Sequence, residues 1–184
     1  TEAELERHRG RLRDIVRNAR LFATVSQAID DAMTSVFAAK YHYNFSRPAT
    51  AIRNRDLDGH PGTPREAGWV PFIETPMHPE YPCAHCILAG SVAAVIEAEA
   101  GGGATPTLAT ASPSARGAVR RWESPQAFAK EVANARIYDG VHFRNSTEVG
   151  LAMGRRIGEL AATRLLRPDP PAYAAATVAV DGGR

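Results

Sequence analysis

The stretch Leu21-Phe-Ala-Thr-Val-Ser-Gln-Ala-Ile-Asp-Asp-Ala-Met-Thr-Ser-Val-Phe-Ala-Ala-Lys40-Tyr-His-Tyr-Asn-Phe-Ser-Arg47-Pro48 decides the fold. Its apolar residues Phe22, Val25, Ile29, Met33, Val36 and Phe37 recur at helical spacing. That spacing predicts a helix from Leu21 to about Tyr43 with one buried stripe. Lys40 stands four residues after Val36 and seven after Met33, so it projects from the same face. It is one of only two lysines, with Lys130, in a chain that otherwise uses arginine.

Upstream, Thr1 to Arg20 reads as a separate helix. Thr1 and Glu4 have capping-box spacing, and Leu5, Leu12, Ile15, Val16 and Ala19 form its apolar stripe. Arginines 7, 9, 11, 13, 17 and 20 decorate it, but Glu2, Glu4, Glu6 and Asp14 are interleaved. A solvated face explains that mixture better than a nucleic-acid surface.

Downstream, residues 54–82 are rich in Gly and Pro and predict a long loop, which in a compact domain is usually functional or a lid. Cys83 to Glu99 reads as a helix with Leu88, Val92, Val95 and Ile96 on its inner face. Residues 101–118 predict a second loop with a short strand at Thr107 to Thr110. Ser124-Pro125 opens the next helix with a cap and a first-turn proline; it runs to about Tyr138, and Gly140 breaks it. A last helix spans about Ser146 to Leu166, ended by Pro168, Pro170 and Pro171. Residues 1–167 are expected to form one domain and 168–184 a mobile tail. The sum is five helices with two long loops, an all-α bundle.

Composition excludes several classes. The 184 residues carry a net charge of +2, too small to argue for a nucleic-acid partner. Hydrophobic residues make up 44%, enough for a core, so wholesale disorder is excluded. No apolar run reaches the roughly 18–20 residues of a membrane span. Two cysteines cannot build a disulfide framework. The chain opens on Thr rather than Met, which reads as a processed or shortened product.

Three clusters carry the chemistry. The first runs from Lys40 to Arg47-Pro48. The second is Pro82-Cys83-Ala84-His85. The third runs from Arg136 through Gly140 to His142. Pro82 is a natural helix entry, and the amides that follow sit at the positive end of a helix, a ready anion site. His85 lies three residues before Leu88 and is expected to point into the bundle. There it is either an acid/base candidate or a core histidine satisfied by a carbonyl. Cys83 and Cys86 form a C-x-x-C. Without a βαβ context it makes a poor redox motif, and without a second Cys/His pair it makes a poor zinc site. Two small buried thiols remain the bland alternative. If the clusters converge, Lys40, Arg47 and Arg136 would repel one another unless an anion lay among them. The joint reading is a pocket for a tetrahedral oxyanion, phosphate or a metal oxyanion.

These residues resemble a known signature. Lys40, Arg47-Pro48, Pro82, His85, Arg136 and His142 match in type, order and internal spacing the superfamily of vanadium-dependent haloperoxidases and type-2 phosphatidic acid phosphatases. The words Tyr-Asn-Phe-Ser-Arg-Pro, His-Pro-Glu-Tyr-Pro and Gly-Val-His-Phe-Arg resemble its soluble haloperoxidase branch, over roughly residues 20 to 165. The resemblance implies that His142 is the axial vanadate ligand, or the phosphorylated nucleophile in a phosphatase. It makes His85 the general acid/base. Lys40, Arg47 and Arg136 would neutralise the oxyanion, with Cys83 and the amide of Ala84 beside them. In such an enzyme vanadate takes up hydrogen peroxide, and halide is oxidised to hypohalous acid without change in the metal's oxidation state.

The chain also departs from the signature. Cys83 stands where the family usually has Ser, and Ala84 where it has Gly. A thiol donates poorly, and Cys83 is expected to be open to oxidation by peroxide. Ser146 stands where the family often has an Asp that orients the histidine, a loss expected to hurt phosphoryl transfer most. His78 and Phe37 fall at the halide pocket, where a His at 78 favours bromide or iodide over chloride. The chain is short for this branch and resembles its carboxy-terminal, site-bearing half. Such a half is expected to pair with itself. Three readings follow: a haloperoxidase, an acid phosphatase, or a degenerate phosphate-binding domain without activity. The resemblance leaves the compartment open, although exported members are common.

Overall fold

In the computed structural model, residues 2–101, 103–105 and 107–166 are described; Thr1 and residues 168–184, and with them the expected cap and tail, lie outside these. Four long helices carry the fold. They are α1 (Glu2–Tyr43), α3 (Ala84–Glu99), α4 (Pro125–Tyr138) and α5 (Arg144–Arg164); a short α2 (Pro48–Arg53) follows α1. Strands β1 (Leu108–Ala111) and β2 (Val119–Trp122) pair antiparallel with Leu108 opposite Trp122. The expected strand is therefore present, and its partner β2 was not foreseen.

The two helices expected at the start are one. α1 runs unbroken for 42 residues. The sequence changes character at Arg20-Leu21, but no Gly, Pro or cap residue stands there, and the i→i−4 ladder does not depend on whether a side chain is charged or apolar. The stripe expected upstream is not buried either: Leu5, Leu12, Ile15 and Val16 are exposed. The buried line of α1 is Thr24, Ala28, Ala32, Val36 and Lys40, one residue per turn. Phe22 is exposed, and Val25, Ile29, Met33 and Phe37 flank the line half-buried. Lys40 keeps its place on the buried face.

α3 and α5 form the centre of the bundle and pack at backbone distance. Gly150, Gly154 and Gly158 of α5 meet α3 without side chains between them. A Cβ at Gly150 would lie 2.7 Å from the carbonyl of Cys83. One at Gly154 would run into the carbonyl of Ile87. α3 is correspondingly small-sided, with Ala89, Gly90, Ser91, Ala93 and Ala94 buried. α1 closes one side through a cluster of Ala32, Val36, Ala84 and Ile87. α4 closes another through Ala89, Ala93 and Ala129. Arg20 ties the middle of α1 to the end of α3, with Nη2 donating to Glu99 Oε1 and Oε2 at 3.0 and 2.7 Å.

The long loop is held on the turn between α4 and α5. Gly140 adopts φ +76°, and a Cβ there would meet the Trp69 ring at 2.9 Å. The Phe72 amide donates to Asp139 O at 2.9 Å. This packing brings residues 78–82 beside the end of α1 and the start of α5. No described helix is long and apolar enough to cross a membrane.

Candidate functional site

Four helix ends supply the site. Lys40 comes from the last turn of α1. Arg47 immediately precedes Pro48 of α2, whose fixed φ starts that helix. Ala84 and His85 open α3. Arg136 sits in the last turn of α4, and His142 follows the Gly140 turn. The three sequence clusters therefore converge.

Arg47 is the hub. Its Nη1 lies 3.2 Å from His142 Nε2 and donates to Val141 O at 2.8 Å. Its Nη2 lies 3.1 Å from His78 Nδ1, and Nε donates to His78 O at 3.0 Å. A guanidinium can only donate, so His142 Nε2 accepts; His78 Nδ1 lies between Arg47 Nη2 and, at 3.2 Å, Pro79 O, and can accept from the first or donate to the second. Lys40 is fully buried, and its ammonium donates to Pro79 O and Glu80 O, each at 2.9 Å. Two of its three protons are thus used. Arg136 donates through Nη1 to Asp139 Oδ2 at 2.9 Å, while its buried Nε has no protein partner.

His142 is buried and held from both sides. Its Nδ1 is 2.7 Å from Glu80 Oε1, while Ser146 Oγ is farther, at 3.4 Å. Glu80 Oε1 also accepts from the Phe143 amide at 3.0 Å. Burial pushes the His142 pKa down to about 4; Glu80 opposes this, and Arg47 and Lys40 add to it. The imidazole is neutral at pH 7, with its proton on Nδ1 and its lone pair on Nε2. Burial, then the Arg47 charge, also lowers Lys40 to about 8.

His85 differs from expectation. It does not point into the core but lies exposed at the mouth of the site. Contact with surrounding protein atoms and the Arg136 charge still hold its pKa below the ordinary histidine value. Its neighbours Cys83, Ala84, Cys86 and Ile87 are all buried, so His85 is the outward-facing residue of a close-packed first turn. His78 is half-buried beside Phe37, their rings 5.3 Å apart and edge-on. Burial and the neighbouring cations lower its pKa as well.

Cys83 also requires correction. It is bonded to Cys86, with Cα atoms 5.3 Å apart. Both sulfurs are fully buried. Its amide donates to Ser146 O at 3.2 Å, and its Sγ caps α3 by accepting from the Cys86 amide. Cys83 therefore has neither a free S–H nor a free amide for an oxyanion, and it is not a thiol awaiting oxidation. A four-residue C-x-x-C at a helix start places the sulfurs within bonding reach without any βαβ unit, which the sequence argument had required.

Two residues escaped the sequence reading, Glu80 and Asp139. Glu80 is fully buried, yet in sequence it is one acid in a proline-rich loop. The stretch His-Pro-Glu-Tyr-Pro carried part of the family resemblance, but nothing in it marked Glu80 as a site residue.

The donor set fits an oxyanion. With the histidines neutral, the cations Lys40, Arg47 and Arg136 face the carboxylates Glu80 and Asp139, a surplus of one positive charge. The orphaned Arg136 Nε is a buried donor in need of an acceptor. Among the described residues no group of three His, Cys, Asp or Glu could hold a cationic metal. His142 Nε2 presents a lone pair on the side of Arg47.

Comparison with known proteins agrees with this geometry. Residues 20–168 match the model of the family described as VCPO second helical-bundle domain. Among solved structures, the chain is similar to "the first bacterial vanadium dependant iodoperoxidase", with 29% identity and a TM-score of 0.67 over 79% of this chain. It also resembles a bacterial vanadium-dependent chloroperoxidase in holo form, with 20% identity and a TM-score of 0.62, and in apo form, with 19% and 0.62. At those two identities the likeness speaks for the fold alone. The chain spans 33–35% of the length of these proteins. No curated protein sequence matches it. The all-α bundle, the converging clusters and the matched family model agree: this chain belongs to the VCPO second helical-bundle domain family.

Proposed function

We propose that this chain is the oxyanion-binding part of a vanadate-dependent haloperoxidase, residues 1–167 acting as one domain. The observation that carries the reading is the neutral, buried His142, whose Nε2 lone pair faces a cluster of buried cations. His142 Nε2 would hold vanadate, taking the place of its Arg47 contact. Arg47, Lys40 and Arg136 would balance the oxyanion charge, the orphaned Arg136 Nε among their donors. The amides of Ala84 and His85 at the start of α3 add a positive helix end. His85, open to solvent, would move protons to and from bound peroxide. When bound, vanadate would supply the Lewis-acid centre at which hydrogen peroxide oxidises halide. His78 beside Phe37 favours bromide or iodide over chloride, in line with the likeness to an iodoperoxidase.

A second reading, an acid phosphatase acting through a phosphorylated His142, gains from one observation. The expected weakness at Ser146 does not hold, because Glu80 supplies the carboxylate behind the histidine. One experiment separates the readings. The protein is loaded with orthovanadate and assayed for bromination and iodination of a dye with peroxide; without vanadate it is assayed for aryl phosphate hydrolysis. Halogenation that requires vanadate supports the first reading. Hydrolysis inhibited by vanadate supports the second. Silence in both, with phosphate still bound, would leave a non-catalytic phosphate-binding domain. His142→Ala should abolish whichever activity is found.

A further inference from the structure

The carboxylate behind His142 comes from an unexpected segment. The signature that the sequence resembles implies an Asp four residues after the histidine; that position is Ser146, 3.4 Å from Nδ1. Glu80 Oε1, from the loop 62 residues earlier in the chain, is closer at 2.7 Å. The Phe143 amide can only donate, so Oε1 is an acceptor. The Arg47 guanidinium can only donate, so Nε2 of His142 is an acceptor too. Both constraints place the imidazole proton on Nδ1.

Glu80 is itself rigidly held. Its amide donates to Phe45 O at 2.9 Å, and its carbonyl accepts from Lys40. Its side chain is fully buried, and its second oxygen, Oε2, has no protein partner. A buried carboxylate with a spare oxygen is costly for a structural filler. Glutamine would fill the same space and keep the same acceptor at lower cost.

We propose that Glu80, in the loop before α3, is the positioning residue of His142. It fixes the Nδ1–H tautomer, aims Nε2 into the cation cluster, and makes that nitrogen a better donor to an oxyanion centre. Its main chain holds Lys40 at the same time, so one loop residue sets both the ligand and a cation. The part of this inference that concerns vanadate rests on the haloperoxidase reading; the tautomer does not.

The test uses the whole chain in four forms: wild type, Glu80→Gln, Glu80→Ala, and Glu80→Ala combined with Ser146→Asp. Imidazole 15N shifts at pH 7.5 report the tautomer, and titration with orthovanadate reports affinity. Wild type should show His142 as Nδ1–H. Glu80→Gln, which keeps the acceptor and loses the charge, should keep that tautomer and bind orthovanadate about 10- to 100-fold more weakly. Glu80→Ala should lose the single tautomer, and adding Ser146→Asp should restore it with most of the affinity. Should Glu80→Ala fail to fold, Glu80→Gln still reads the charge. A wild-type Nε2–H tautomer would overturn the proposal. So would unchanged tautomer and affinity in the glutamate variants. If wild type binds no orthovanadate, the haloperoxidase reading fails, and the tautomers of wild type and Glu80→Ala decide the role of Glu80.

Discussion

Nη1 of Arg47 and Nε2 of His142 lie 3.2 Å apart, joining the start of α2 to the segment before α5 across 95 residues of sequence. The same guanidinium satisfies Val141 O, His78 O and Pro79 O. Arg47→Lys should therefore not be conservative. A single ammonium cannot replace a planar fork of five donors. Several buried acceptors would lose partners, at about 1–3 kcal/mol each. We expect a marked fall in urea-unfolding stability together with weaker phosphate binding. Stability equal to wild type would show that the fork is dispensable.

Lys40 should set an alkaline limit. Its folded pKa of about 8 lies below the ordinary 10.5. The fold disfavours the charged form, so this residue costs stability most below about pH 8. The cost fades as pH rises toward 10.5. Oxyanion affinity moves the other way and should fall as pH rises through 8, because the neutral amine no longer balances the anion. Phosphate titration calorimetry from pH 7 to 9.5 checks this. In Lys40→Met affinity should be lower throughout, and the step near pH 8 should vanish.

His142 should set an acid limit on stability. It is neutral in the fold down to about pH 4, whereas an unfolded histidine takes up its proton near 6.5. Stability contributed by the neutral ring is complete above about pH 6.5 and lost as pH falls toward 4. Urea midpoints at pH 7 and 4.5 should drop more for wild type than for His142→Gln. Equal drops would place the acid sensitivity elsewhere.

The Cys83–Cys86 bond should be intact in the native protein, with no thiol titrating before reduction in denaturant. It closes a very short loop, so replacing both cysteines should cost only about 2 kcal/mol on loop-closure grounds. Cys83→Ser with Cys86→Ala retains an oxygen that can cap α3 and should lose less than the double alanine variant, as read by thermal unfolding.

Gly154→Ala should destabilise the bundle. Alanine gains about 1 kcal/mol in intrinsic helix propensity. Here its Cβ would meet the Ile87 carbonyl, which belongs to a helix backbone and cannot turn aside. Overpacking costs of about 1–3 kcal/mol or more should win. Gly10→Ala, at an open position of α1, should by contrast leave stability unchanged or slightly raised.

Sequence by itself determined the helical class and singled out residues that the fold brings together. Helical periodicity put Lys40 on a buried face, Ser124-Pro125 marked the start of α4, and the ordered motif identified Arg47, Arg136 and His142 before any contact was known. Local signals suffice there because helix phase and caps are set by neighbours within a few residues. Tertiary structure decided what depends on partners far along the chain. The packing of the 54–82 loop on Gly140 carried Glu80 to His142. The continuity of α1 past Arg20 depended on the absence of a breaker, not on the change in side chains. Close packing of α3 on the glycines of α5 buried Cys83 and Cys86, while His85, on the opposite side of the same turn, stayed open. The charge of a buried site is likewise a property of the assembled neighbours. Three cations were legible in the sequence, but the carboxylates that balance them came from segments whose meaning only folding supplied.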